Sequence, residues 1–238
     1  MFESKYSKIL TIVLVIVIIA IVVLLGFLTF DYITKFSTSK QAADFVETFQ
    51  GNLTEEENII EENTTANNVV EEPTLNQNIV LNITQPQINP NPNGGTTTSN
   101  KKKYKNFTVA GTMKIPSINF EYPILEEVTT KALDTAVILL YPNSEKLNKP
   151  GNVVISGHNY RNGLFFSNLK KLSNGAKIYV TDYSGKSVTY EVYNMFETSS
   201  TDTSFYTRDT NGLEELTLST CTDASNDQRT IVFAKELR

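Results

Sequence analysis

An uncharged run of 22 residues, Ile9 to Phe30, sets the first constraint on this chain. Ile, Val and Leu dominate it, and Lys8 and Asp31 flank it. As a helix rising about 1.5 Å per residue it reaches roughly 33 Å, enough to cross a hydrocarbon core of about 30 Å. A cleaved secretion signal is the competing reading. The run exceeds the roughly 7–15 apolar residues of such a signal, and no small-x-small cleavage site follows it. A buried core helix fits less well, because no nearby segment is patterned to surround it. The expectation is a tail over 1–8 and a membrane span over 9–30. Lys5 and Lys8 precede the span while Lys35 and Lys40 follow it. The positive-inside rule is therefore nearly balanced, and the tail is expected on the cytoplasmic side.

The net charge of −5 is unevenly distributed. Residues 1–40 and residues 101–238 each carry +2, whereas residues 41–100 carry −9 with no Lys or Arg. The acidity therefore belongs to the middle of the chain. That segment is rich in Asn, Thr, Glu and Pro and cannot bury enough apolar surface to offset chain entropy. Residues 31–100 read as a low-complexity tether, with a helical turn or two over Lys40 to Gln50. Asn52, Asn63 and Asn82 open glycosylation-type triplets, which in so Asn/Thr-rich a stretch arise by chance. No basic footprint suited to nucleic acid is present.

From Lys101 the pattern changes to short strand-like runs separated by turn signals. Strands are predicted near 107–115, 120–125, 137–141, 151–157, 176–182, 187–197, 214–221 and 229–237. Helical patterning is limited to 129–136, 164–172 and 202–208. Eight short strands in one domain over 101–238 point to a mostly β barrel or sandwich with a few helices on its rim. One Cys rules out a disulfide within the chain. One Cys and one His fall short of the ligand set of a usual zinc site.

Those two residues, with one Arg, stand at predicted strand ends. Cys221 closes Glu215-Leu216-Thr217-Leu218-Ser219-Thr220-Cys221. Alternation puts Leu216 and Leu218 on one face, and Thr217, Ser219 and Cys221 on the other, polar one. Seven residues separate Cys221 from Arg229, so a hairpin would bring Arg229 beside it. A fixed cation there stabilises a thiolate or a developing oxyanion. His158 follows the apolar run Val153-Val154-Ile155 and opens a loop. Taken singly, each residue is more often structural: a small buried thiol, a surface Arg, a satisfied His. Their joint placement carries the functional signal.

Thr217-Leu218-Ser219-Thr220-Cys221 resembles the TLxTC motif of sortases, Gly157-His158-Asn159 resembles their histidine motif, and Arg229 matches their downstream arginine. The spacings are 63 and 8 residues. Lys114-Ile115-Pro116-Ser117-Ile118-Asn119 is similar to the family's early strand, so the resemblance spans about 105–237. It implies an eight-stranded sortase-like β-barrel and a membrane-anchored cysteine transpeptidase acting outside the cell. Its partners would be secreted proteins bearing a C-terminal sorting signal and a cell-wall precursor or peptide amine. Cys221 would be the nucleophile, His158 the acid and base, and Arg229 the holder of the substrate backbone or oxyanion. Thr220 would help position substrate, and no cofactor is required. Asp223 is expected as a surface or loop acid, with orientation of His158 or Arg229 left open.

The Leu-Ser-Thr-Cys-Thr wording resembles class B, yet the 198–213 connection is too short for that class's helical insertion. Its side chains are expected to bear on substrate choice. The chain lacks the Asp-Pro dipeptide of pilus-building class C enzymes and ends at Arg238 without an apolar tail. Some class A members bind calcium beside the loop before the nucleophile strand, where this chain offers Asp202, Asp209, Glu214 and Glu215. Two competing readings remain. One is a non-enzymatic, membrane-tethered β-barrel binding module. The other, a papain-like protease, places Cys before His and on a helix, contrary to the order here.

Overall fold

The computed structural model describes residues 3–65 and 101–238. The first of these segments is a single helix, α1 (Glu3–Thr65). Within Lys8–Leu53 lies a window of mean hydropathy 3.5, wholly unburied, long and apolar enough to cross a membrane. The helix does not stop there. It continues through residues 31–65, where the sequence predicts a flexible tether. The rest of that tether, 66–100, lies outside the described residues.

The extension has a physical reason. Ala42, Phe45, Val46, Phe49 and Leu53 recur at helical spacing and so share one face. Ala42 and Val46 are fully buried, and Phe49 nearly so, all against the domain that follows. Phe45 meets the Tyr104 ring edge-on at 5.0 Å. The Lys102 ammonium lies 5.1 Å from the Phe49 ring centre. Tertiary packing on this stripe supports a helix that polar composition alone would not.

The second segment holds nine strands: β1 (Lys103–Tyr104), β2 (Phe107–Ile115), β3 (Phe120–Leu125), β4 (Val137–Tyr141), β5 (Gly151–Ser156), β6 (Lys177–Asp182), β7 (Ser187–Ser199), β8 (Glu214–Cys221) and β9 (Gln228–Glu236). Their order is β2-β3-β4-β5-β8-β9-β7-β6, and β6 pairs back onto β2. This closes an eight-stranded barrel, as expected; the two-residue β1 is an addition on β2. Closure leaves no exposed sheet edge. At the β2–β6 seam a Cβ on Gly111 would stand 2.4 Å from the Thr181 carbonyl oxygen, so only glycine permits that approach.

Leu216, Leu218, Ile155, Ile178, Met113 and Phe166 fill the barrel. A second, smaller cluster lies on the outer face, where Phe205 from the β7–β8 connection covers Val154 and Ile231. Arg208 anchors that connection. Its guanidinium pairs with Glu215 and donates to the Tyr193 hydroxyl at 2.9 Å and to Asn152 Oδ1 at 3.1 Å. It also stacks 4.0 Å over the Phe233 ring. This corrects the expectation of an open polar face on β8. Thr217 and Ser219 are buried, and Cys221 remains partly exposed.

The helical elements also shrink. The patterning at 129–136 gives α2 (Thr130–Leu133), started by the Thr129 hydroxyl accepting from the Ala132 amide at 3.1 Å. A 3-10 turn, Phe166–Lys171, replaces the helix expected over 164–172. Residues 202–208 form turns, because Asp202 Oδ1 accepts from the Ser204 amide and Asn152 Nδ2 donates to the Phe205 and Tyr206 carbonyls.

Replacing Phe49 with Ala should weaken docking of α1 by about 3 kcal/mol. Hydrogen exchange at residues 42–53 should then accelerate by roughly a hundredfold while the barrel amides stay protected. Unchanged protection at 42–53 would show that this stripe does not hold the helix.

Candidate active site

Strand pairing assembles the candidate residues. β5 and β8 run parallel, with Ser156 opposite Ser219. Their C-terminal ends therefore emerge side by side, one leading into His158 and the other ending at Cys221. β9 returns antiparallel beside β8 and sets Arg229 directly opposite Cys221. Facing side chains in such a pair project to the same side of the sheet. The predicted hairpin is thus present. The Arg229 guanidinium donates to the Asn226 carbonyl at 2.6 Å and the Gln228 carbonyl at 3.2 Å.

The loop carrying His158 is clamped to the loop carrying Cys221. Asn159 Nδ2 donates to the Cys221 carbonyl at 3.0 Å and to Asp223 Oδ1 at 2.8 Å. Arg161 donates from Nε to the Asp223 carbonyl at 2.7 Å and from Nη2 to the Thr222 carbonyl at 3.1 Å. At its base the loop is closed by the Phe166 amide donating to the His158 carbonyl at 3.0 Å. Two non-glycine residues in it, Arg161 and Phe165, hold positive φ, at 56° and 49°. Such conformations persist where surrounding contacts over-determine them.

The imidazole is engaged from the α2 side of the site. His158 Nε2 lies 2.9 Å from Asp134 Oδ1, at the end of α2. Tyr160 packs against the ring at 4.7 Å, tilted by 32°, and donates its hydroxyl to the same Asp134 oxygen at 3.0 Å. Burial first, then Asp134, pushes the Tyr160 phenol up to about 12, so it remains a donor at neutral pH. Asp134 and Tyr160 were not read from the sequence. Nothing local links an acid 24 residues upstream to His158; only the fold does.

Other expectations change in detail. Asp223 orients neither His158 nor Arg229 directly; it pairs with Lys170 and takes the Asn159 amide. Thr220 is buried, and its hydroxyl donates to the Gly157 carbonyl at 2.7 Å, tying β8 to the start of the His158 loop. It also lines a cavity of about 240 Å³ with Phe166, Lys170 and Thr230. The acids suggested for calcium do not converge. Asp202 accepts from Thr198 and Ser204, Asp209 from the Asn211 amide, Glu214 pairs with Lys186, and Glu215 with Arg208. Among the described residues no group of three or more His, Cys, Asp or Glu side chains is placed to hold a metal ion. The residues present do not fit a calcium site.

Tyr206 is a further addition from the covering loop. It stands edge-on to Tyr141 at 5.7 Å, and its phenol feels both burial, which raises its pKa, and the Arg229 charge, which lowers it.

Gly157 is the tightest point of the site. A Cβ there would stand 2.7 Å from Phe166 Cδ2 and 2.8 Å from Val137 Cγ1. Gly157→Ala should cost about 1–3 kcal/mol and shift the adjoining His158 loop. Thermal unfolding checks the first effect and amide shifts over 158–166 the second; a silent substitution would contradict the close packing.

A sortase-domain family model matches residues 113–237, just over half of the chain. Sortase A of Bacillus anthracis is 30% identical over 136 residues, covering 54% of this chain and 60% of that protein. The chain thus spans less than two thirds of that relative. Among solved structures, sortase A of Corynebacterium diphtheriae matches with 28% identity and a TM-score of 0.51, over 56% of this chain and 62% of that one. Sortase C-1 of Actinomyces oris matches with 28% identity and a TM-score of 0.50, over 55% of this chain and 72% of that one. The His158 loop, the Cys221–Arg229 hairpin and all of the barrel from Met113 onward fall within the matched span, and the chain belongs to the sortase family.

Proposed function

We propose that the chain is a membrane-anchored cysteine transpeptidase. It cleaves the C-terminal sorting motif of secreted proteins and joins them, through a thioacyl enzyme, to a cell-wall amine. The direct cross-strand pairing of Cys221 with Arg229 carries this reading. The clamp from Asn159 to the Cys221 carbonyl supports it by keeping the His158 loop close.

The Cys221 thiolate attacks the scissile carbonyl carbon, and the carbonyl oxygen takes negative charge. Arg229, opposite Cys221, holds the substrate backbone or that oxyanion. As the tetrahedral species collapses, the C–N bond breaks and His158 gives its proton to the leaving amine. The acyl group now sits on Sγ. An incoming amine attacks the thioester, His158 takes its proton, and the C–S bond breaks to regenerate the thiolate. Thr220 acts from behind, through its bond to Gly157, in keeping His158 and Cys221 in register. With 9–30 in the membrane and 1–8 on the cytoplasmic side, the barrel lies outside the cell.

The class A and class C names of the relatives and the class B-like wording of the TLSTC motif direct the substrate test. A panel of sorting peptides drawn from all of these classes, with an amine acceptor, should yield at least one transpeptidation product from the full chain in detergent. Cys221→Ala should abolish it, and Arg229→Ala should reduce kcat/KM by about 10²–10³-fold. A charged thiol reagent should modify Cys221 rapidly. No product from any peptide, with a slowly reacting Cys221, would favour the non-enzymatic binding module instead.

A further inference from the structure

His158 has one ring nitrogen engaged and the other uncommitted. Nε2 lies 2.9 Å from Asp134 Oδ1, and the same oxygen accepts from the Tyr160 hydroxyl at 3.0 Å. An ionised carboxylate accepts and cannot donate, so the proton between this pair belongs to Nε2. The neutral imidazole then carries its lone pair on Nδ1. Tyr160 braces the ring face at 4.7 Å and is itself packed on Phe165 at 5.7 Å. Phe165 in turn rests on Tyr122, a barrel side chain that is 3% exposed. The ring is thus held on its edge by Asp134 and on its face by an aromatic stack rooted in the barrel.

Resting on the transpeptidase reading, we infer that Asp134 is a positioning residue for His158. It accepts from Nε2–H and leaves Nδ1 as the nitrogen that exchanges protons during acyl transfer. In the acylation half, Nδ1–H of the imidazolium passes its proton to the departing amine nitrogen. In the second half the Nδ1 lone pair takes the proton of the attacking amine as the C–S electron pair returns to sulfur. Nε2–H stays bonded to Asp134 throughout, and the carboxylate spreads the charge of the imidazolium.

The single His makes the test direct, since the imidazole of the 15N-labelled full chain in detergent gives one spin system. The neutral wild-type ring should be the Nε2–H tautomer. Asp134→Ala should lose that preference and lower kcat by about 10–100-fold, part of the 10²–10⁴ that a positioned acid–base group contributes. KM should move by less than about twofold, because substrate binding is not touched. Asp134→Asn, which keeps an accepting oxygen, should recover part of both effects. A wild-type Nδ1–H tautomer overturns the proposal, as does an Asp134→Ala enzyme with unchanged kcat and tautomer. If the Ala variant does not fold, the wild-type tautomer still decides. A wild type inactive on every peptide refutes the transpeptidase reading, while the tautomer independently reports whether Asp134 holds the ring.

Discussion

The parallel pairing of β5 with β8 is the constraint on which the rest depends. Six consecutive register pairs, from Gly151–Glu214 to Ser156–Ser219, lock the two strands together. A parallel pair needs a crossover, and here β6, β7 and the connection after β7 supply it. Because both strands end at the same level, Cys221 and the loop carrying His158 leave the sheet together. Slipping β8 by one position would send Cys221 into the barrel and Thr220 out. The leucines prevent this: Leu216 and Leu218 are fully buried inside, so a slip would replace them in the barrel with Thr217 and Ser219 and set them against the polar Arg208 and Asn152. Core packing and site geometry are enforced by the same alternation.

The anchor helix changes how the domain is held. Ala42 lies twelve positions beyond Phe30, about 18 Å along the helix. The helix surface that follows is buried against the barrel, from Ala42 to Phe49. The barrel is therefore docked on the helix that leaves the apolar span, and residues 66–100 connect two parts already in contact. Of the linker expected over 31–100, the part up to Thr65 is helical, and its stripe from Ala42 to Leu53 rests on the barrel.

Much of this was legible because hydrophobic alternation is a local signal. All eight barrel strands were placed within about two residues at each end, and Cys221, His158 and Arg229 stood out as the rare residues at those ends. What escaped notice depends on distant partners. The docking stripe at 42, 45, 46, 49 and 53 is visible as helical spacing, but the surrounding Glu, Asn and Thr gave the segment the composition of a solvated linker. The covering of β8's outer face by Phe205 and Arg208 required knowing that the β7–β8 connection folds back rather than out. Asp134 could not be found from sequence, since its bond to His158 exists only once β4 and β5 pair. Thr220 was expected to help position substrate; its bond to the Gly157 carbonyl could not be read locally, because it joins residues 63 positions apart.

The central claim is that Cys221 carries an acyl group between two amines. The most direct measurement is intact-protein mass spectrometry of the full chain mixed with a cleavable sorting peptide and no acceptor. The account predicts a mass increase equal to the peptide's N-terminal acyl portion, mapped to Cys221 and discharged on adding an amine. A chain that processes the peptide without any adduct at Cys221, or whose adduct forms on another residue, would contradict it.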